Sequence, residues 1–374
     1  MRSALVALAV FALAACDTQT VLPECPGAAD CPPPLGDEIV AGVNLTALFA
    51  APTAAERDSV AARLDRTGGT SAPRVTQVAA TDLATDTDGT RYTRLTLRDD
   101  AGRAVAYGVA RIPAANLGGD QPLPVLFLLP DGTGDAAETS FLTGNNVLGL
   151  DQQTVQIVLA ARGATLTTRG AGPNAPPIVT ASEVPADPYR ADVLDLLALT
   201  ERLTVVSRTN PSRVGALGVG RGGTVALLAA ERAPGGFRVV APIGAVTDLF
   251  DPTFRSAVRR ALVGGPASRL PAADALLAPA RALASGAITL AEARLQMLEL
   301  SAVTLESRLP ATVVVHSDPD DVVPFAQFER FRALGSGPDE ARRRFEVVLN
   351  VPHDAVIENT TARAIFSQYI LAAL

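Results

Sequence analysis

Apolar and polar positions along this chain follow two rhythms. Largely apolar runs of five or six residues occur at Val125 to Leu129, Val155 to Ala160, Val214 to Val219 and Ala311 to Val315, interrupted only by Gln156 and Thr312. Runs this short, with no polar alternation, predict parallel strands covered on both faces. Arg238 to Val246 and Phe345 to Asn350 complete the set of later strands. Helical spacing marks Ala54 to Asp65, Tyr189 to Leu203, Thr224 to Arg232, Phe325 to Leu334 and Thr361 to Leu374, and Thr67-Gly68-Gly69-Thr70 stops the first of these. Ahead of the parallel strands, Arg91 to Arg98 alternates, Asp99-Asp100-Ala101-Gly102 turns, and Ala104 to Ile112 returns as the second arm of a hairpin. Strands separated by helices imply right-handed crossovers and hence an α/β fold with a doubly wound, mostly parallel sheet. From Asp248 to Pro310 the pattern is helical, with stops at Gly264-Gly265 and Gly286. We expect residues 248–310 to be a helical cap insertion over the carboxyl edge of the sheet, where folds of this kind bind ligands.

The first residues follow a different pattern. Arg2 precedes an apolar run from Ala4 to Ala12, which is shorter than the ~20 residues a spanning helix needs and reads as an export signal. Leu13-Ala14-Ala15-Cys16 resembles the lipobox of bacterial lipoproteins, which implies a signal over 1–15 and lipidation of Cys16. Residues 16–38 contain a Pro- and Gly-bearing stretch expected to act as a tether. Cys25 and Cys31 lie close together within it, and in an oxidising compartment they are expected to close a small disulfide loop rather than hold a metal, there being no third ligand nearby. The body is then residues 39–374, in the cell envelope and attached to a membrane through Cys16.

Composition narrows the function classes. At 48% hydrophobic the chain can bury a large core, while a net charge of −7, with no basic stripe interleaved with aromatics, argues against a nucleic-acid partner. No repeat stands out, and no cofactor or metal is expected.

The informative stretch is Gly218-Val219-Gly220-Arg221-Gly222-Gly223, between the strand ending at Val219 and the helix beginning near Thr224. Three readings fit the turn. Gly218-x-Gly220-x-x-Gly223 spells a dinucleotide fingerprint, with a pyrophosphate on the helix N-terminus. Gly218 and Gly222 also frame a nucleophile elbow, G-x-S-x-G, with Gly220 where the serine stands. The third reading is a plain strand-to-helix corner that needs small residues.

The two histidines help decide between them. His353 follows the last strand in Asn350-Val351-Pro352-His353-Asp354, and His316 ends a strand ahead of Ser317-Asp318-Pro319-Asp320-Asp321-Val322-Val323-Pro324. The order of elbow, late acid and final histidine is that of α/β-hydrolases, and the local spelling H-G-x-x-D-x-x-V-P resembles the prolyl-oligopeptidase and dienelactone-hydrolase type, with Ser317 in place of the glycine. The resemblance covers roughly residues 90 to 374 and is strongest from 210 to 360. It implies a serine ester or peptide hydrolase in which Asp320 is the acid, His353 the base and His316 a structural residue. Asp318 and Asp321 are then solvated neighbours.

Two departures stand against that activity. Gly220 leaves the nucleophile position without a side chain. Pro130-Asp131-Gly132-Thr133-Gly134 resembles the family's H-G-T-G, with Asp131 in place of histidine, so the oxyanion hole implied at the N–H groups of Arg221 and Thr133 has a carboxylate beside it. The resemblance therefore implies a degenerate hydrolase that binds a small-molecule or peptide ligand, or a partner, under the helical insertion. The alternative is a hydrolase using a water activated by His353 and Asp320. On the degenerate reading, Gly220→Ser is expected to recover at least weak serine reactivity, and Gly220→Ser with Asp131→His to exceed it. Dinucleotide binding is the minor alternative, because about four strands precede the turn and no acid ends the strand after it.

Overall fold

The computed structural model describes residues 37–67, 74–114, 121–137, 150, 152–170, 176–266, 268–334 and 342–374. The export signal, most of the tether, Cys16, Cys25, Cys31 and the glycine stop after Thr67 lie outside the described residues. In chain order, the elements begin with a small hairpin, β1 (Ile39–Val40) and β2 (Val43–Asn44), then helices α1 (Leu45–Leu48) and α2 (Ala54–Thr67). Strands β3 (Gln77–Thr85), β4 (Arg91–Arg98), β5 (Ala104–Ile112), β6 (Leu123–Leu129), β7 (Ala136–Ala137), β8 (Val155–Leu159), β9 (Thr165–Thr168) and β10 (Ile178–Ala181) follow. The chain continues through α3 (Arg190–Glu201), β11 (Thr209–Val219), α4 (Arg221–Arg232) and β12 (Val239–Ile243). Helices α5 (Pro252–Leu262), α6 (Ala273–Ala284) and α7 (Leu290–Glu299) precede β13 (Ala311–Asp318), α8 (Ala326–Leu334), β14 (Arg343–Leu349) and α9 (Thr360–Ala373).

Nine strands form the main sheet in the order β14-β13-β12-β11-β6-β8-β5-β4-β3. Strands β14 through β8 pair in parallel, and β5, β4 and β3 extend the sheet antiparallel at one end. The apolar runs are sorted by the period of two that a strand imposes. In β6, Val125, Phe127 and Leu129 join the core on the α4 side, while Leu126 and Leu128 face the side covered by Phe366 and Ile370 of α9. Two covered faces explain why these strands show no polar alternation. The third antiparallel strand, β3, was not visible in the pattern, since Gln77–Thr85 carries only two large apolar residues, Val78 and Leu83, and is mostly accessible at the sheet edge.

The insertion is helical, with α5 ending at Leu262 and α6 at Ala284, just before the expected glycine stops. It is held to the start of the body by Arg294 of α7. This guanidinium donates to the carbonyls of Ala47, Leu48 and Ala50 at 3.0, 2.8 and 2.9 Å, and it pairs with both carboxylate oxygens of Glu56 at 2.6 and 2.9 Å. A cavity of about 700 Å³ opens between α5 and α6, against Pro188, with Ala261, Leu270, Leu277 and Arg281 among its walls.

The topology decides where a site can form. From β6 the chain goes to β8 on one side, and it then returns to β11 on the other. The carboxyl ends of β6 and β11 therefore lie side by side where the winding reverses, the place at which open α/β sheets leave a crevice.

Candidate functional site

Strand β11 delivers Gly220 to this crevice in a conformation that only glycine adopts easily, φ +48° and ψ −110°. Its N–H donates to the Ile243 carbonyl at 2.8 Å and fixes the corner against β12. The flanking glycines are required by contact. A Cβ on Gly218 would lie 2.2 Å from the Gly222 carbonyl, and one on Gly222 would lie 2.3 Å from the Leu129 carbonyl oxygen. Helix α4 thus starts pressed onto the end of β6. Thr224 has no free hydroxyl to offer, since it donates to the Val246 carbonyl at 2.9 Å and accepts the Val246 N–H at 3.0 Å.

The loop after β6 turns tightly, with the Gly134 N–H donating to the Asp131 carbonyl at 3.0 Å. Its Asp131 side chain points into the site. Oδ1 accepts the Arg221 N–H at 2.9 Å, and Oδ2 lies 3.2 Å from His353 Nε2. A Cβ built on Gly220 would fall 1.9 Å from that Oδ1. The expected vacancy at position 220 is therefore filled, because the Asp131 carboxylate lies in the space of the missing side chain. Thr133, the donor expected from the motif, is exposed and gives its carbonyl to Arg221 Nη1 at 2.8 Å.

Asp320 and His353 meet as the motif order implies. His353 Nδ1 donates to Asp320 Oδ2 at 2.7 Å, and Oδ1 accepts the N–H groups of Val322 and Val323 at 2.9 and 2.8 Å. Ser317 donates its hydroxyl to the Val351 carbonyl, tying the end of β13 to the loop that carries His353. His316 is buried between Phe325 and Phe328 and donates Nε2–H to the Val323 carbonyl at 3.0 Å. Asp318 and Asp321 are exposed.

The electrostatics follow from this chain of contacts. Burial works against a charged His353, but hydrogen bonds to Asp131 and Asp320 outweigh it and lift its pKa to about 9. Burial would raise both carboxyls, yet His353 and the backbone N–H donors hold Asp131 and Asp320 below the ordinary carboxylate value. For His316, burial pushes the pKa down and favours the neutral ring. The site at neutral pH is thus carboxylate, imidazolium, carboxylate. An imidazolium has no lone pair with which to take a proton, so His353 is not a general base in this state.

Behind the site lies a buried network that the sequence reading missed. Arg221 Nε donates to Asp192 Oδ2 at 2.9 Å, and the Arg162 N–H donates to Asp192 Oδ1 at 3.2 Å. Arg162 also forks onto Asp195 at 3.0 and 2.5 Å. These groups hold the Asp131 loop and the start of α4 together. A signal was present, since Asp192 and Asp195 interrupt the otherwise apolar face of α3, and acids there need partners.

Known proteins place the fold. No sequence family and no curated sequence matches the chain. Among solved structures it is similar to acetyl xylan esterase 1 from Thermoanaerobacterium sp., with a TM-score of 0.58 at 12% identity over 88% of this chain and 99% of that one. An acetyl xylan esterase from Paenibacillus sp. matches at 0.58 and 13% identity over the same shares, 88% and 99%. A puromycin-hydrolyzing peptidase from Mycobacterium tuberculosis matches at 0.52 and 17% identity over 77% of this chain but only 40% of that one. With its mostly parallel doubly wound sheet and flanking helices, the chain has the α/β-hydrolase fold.

Proposed function

We propose that this protein is an exported α/β-hydrolase-fold protein, anchored by lipid at Cys16, that has lost serine hydrolase turnover and serves to bind a small-molecule or peptide ligand, or a partner, at the cell envelope. One observation carries the loss of turnover: the Asp131 carboxylate stands where the side chain of residue 220 would be, 1.9 Å from its Cβ position. An ester or peptide carbonyl arriving there meets no hydroxyl. It also finds the Arg221 N–H already taken by an anion that repels a developing oxyanion. The esterase and peptidase neighbours support an ester or peptide hydrolase origin for the scaffold. The water-activating alternative is weaker, because Asp131 occupies the water's place and His353 carries its proton.

Dinucleotide binding is disfavoured by contact. Gly222 abuts the Leu129 carbonyl, and the first N–H of α4 faces a carboxylate instead of open space for a pyrophosphate. The cavity between α5 and α6 is the ligand site this reading favours, and neither Asp131 nor His353 lines it.

The test is activity-based labelling of the purified protein with a fluorophosphonate, alongside hydrolysis of p-nitrophenyl acetate. No label and no hydrolysis above buffer are expected. Stoichiometric labelling would overturn the loss of turnover.

A further inference from the structure

We propose that the exposed side of α5, together with the β1–β2 hairpin, is a docking face for a bilayer containing anionic phospholipid, and that it holds the body in one orientation on the membrane. This deepens the proposed function and rests on the anchor at Cys16. It starts from where the tether meets the body. Glu38 pairs with Arg255 of α5 at 2.5 Å and with Arg259 one turn further on, so the chain that leads back to Cys16 is fixed to this helix. Only 20 residues separate Cys16 from Asp37. A flexible chain of that length has an end-to-end distance of about 25 Å, whereas a body of this size has a radius of gyration of about 20 Å and is about 50 Å across. An orientation with the opposite side on lipid would stretch the tether to twice its usual span. The surface around Glu38 is therefore the one that meets the membrane.

That surface is apolar at its tips and basic between them, the pattern of an interfacial element. Ser256, Arg259, Arg260 and Val263 stand at i, i+3, i+4 and i+7 and form the exposed stripe of α5, while Phe254, Ala257 and Val258 are buried on its other side. The stripe ends at Val263, which is 67% exposed, and the chain runs on through Gly264-Gly265-Pro266, all exposed and uncharged. Next to Glu38 the hairpin presents a second uncharged tip, with Ile39 65% exposed and Ala41 and Gly42 exposed in its turn. An arginine stem lies along apolar surface while its guanidinium reaches phosphate oxygens, so both parts of the face suit the headgroup layer.

Charge sets the class of lipid. In a chain of net charge −7, residues 252–273 hold four arginines and no acid. Two of them share Glu38. Arg269 meets Asp321 at 3.5 Å with both side chains largely exposed, a pairing that contributes little. Arg260 is exposed and pairs with no acid among the described residues. Even with Asp37, Glu38 and Asp321 counted against it, the patch stays positive, and anionic headgroups complement it.

The chain has no tryptophan, so one placed on the face is its only indole. Val263→Trp in the full chain is compared with Val205→Trp, which precedes β11 at the amino edge of the sheet, whereas α5 follows the carboxyl end of β12. Each is added to vesicles of brominated phosphatidylcholine with one-quarter phosphatidylglycerol. Emission of Val263→Trp should shift to the blue and fall at least twofold by quenching, and that of Val205→Trp should not change. In Cys16→Ala protein, which lacks the anchor, adding Arg260→Gln should raise the lipid concentration at half-quenching about fivefold, the effect of one arginine near an anionic surface. Equal quenching of the two indoles, or quenching of neither, would overturn the docking face. So would a blue shift without quenching, which means that protein and not lipid covers the patch. Flotation with the vesicles and the mass of Cys16 read the anchor separately. Lipidated protein that floats without quenching at position 263 removes the face alone, and quenching there in a chain whose Cys16 carries no lipid removes the anchor alone.

Discussion

The Asp131 carboxylate and the Gly220 backbone compete for one volume: the Oδ1 of the first lies 1.9 Å from where the second would carry a Cβ. The glycine at the elbow and the aspartate in place of histidine are therefore one change seen at two positions. Neither is intelligible alone, since any side chain at 220 would displace the carboxylate, and without the carboxylate the imidazolium would face an empty corner.

This coupling revises the expectation that Gly220→Ser alone restores reactivity. The new hydroxymethyl group would collide with Asp131 while adopting φ +48°, so the single variant should stay unlabelled by fluorophosphonate. Backbone strain at such a position costs of order 1–3 kcal/mol, and a fall in thermal midpoint should register it. Gly220→Ser with Asp131→His removes the collision and frees the Arg221 N–H, and this pair should label. Labelling of the single variant at or above the level of the pair would show that the carboxylate yields its place.

The elbow glycines on either side make a sharper structural prediction. A methyl at Gly222 meets a backbone carbonyl, Leu129 O, at 2.3 Å, and backbone of a central strand has nowhere to move. Gly222→Ala should cost more than about 4 kcal/mol, the range of exceptional single changes, and yield insoluble or unfolded protein. Gly235→Ala is the control: its φ of +84° adds backbone strain that Gly222 does not carry, but no atom lies within 4 Å of the added carbon. Urea midpoints that match between the two would refute the close-packing argument.

Much of the fold was legible because central strands covered on both faces must be largely apolar. β6, β8 and β13 declare themselves by that rule, and α4 by the glycines that let it approach β6. The small strands β7, β9 and β10 did not, being two to four residues long with at least half their positions accessible. For the site, the pairing of Asp320 and His353 was readable from motif order together with the local spelling around Asp320. What could not be read was the direction of the Asp131 side chain. That direction is set by contacts remote in sequence, namely the Arg221 N–H and His353, and a linear pattern does not encode them.

Arg294 offers a test of how the insertion is attached. It satisfies three carbonyls after α1 and draws the Glu56 pKa down to about 2, chiefly through their hydrogen bond and against the opposing effect of burial. Arg294→Ala leaves those carbonyls and Glu56 without the guanidinium, and removing one partner of a buried pair costs about 3–5 kcal/mol. Urea denaturation should show a loss of that order. A loss below ~1 kcal/mol, the worth of a surface pair, would mean that the insertion is held by apolar packing alone.

The export reading is checked on the native membrane fraction. Mass spectrometry of the amino-terminal peptide should find Cys16 as the lipidated first residue, with Cys25 and Cys31 joined. Soluble protein with an unmodified Cys16, or free thiols at 25 and 31, would remove the corresponding part of the proposal.

The last prediction concerns stability against pH. His353 has a pKa of about 9 in the folded chain against ~6.5 when unfolded. The folded state therefore binds this proton more tightly, and the stability it brings is complete below pH ~6.5 and is lost as pH rises through about 9. Other groups with raised values overlap this range. Burial lifts Glu231 well above its ordinary value, and stability tied to it also falls with rising pH. Comparing the wild type with His353→Gln cancels that background, so the difference between their urea stabilities should shrink between pH 6.5 and 9.5 and be flat from there down to about pH 5, above the range in which Asp131 and Asp320 take up protons. In Asp131→Ala the imidazole keeps only Asp320 as partner, so its loss of stability should begin at the same pH, ~6.5, and end at lower pH. If the wild type and His353→Gln run parallel across the whole range, His353 is not held as an imidazolium. Asp131 would then not be paired with it as the geometry implies.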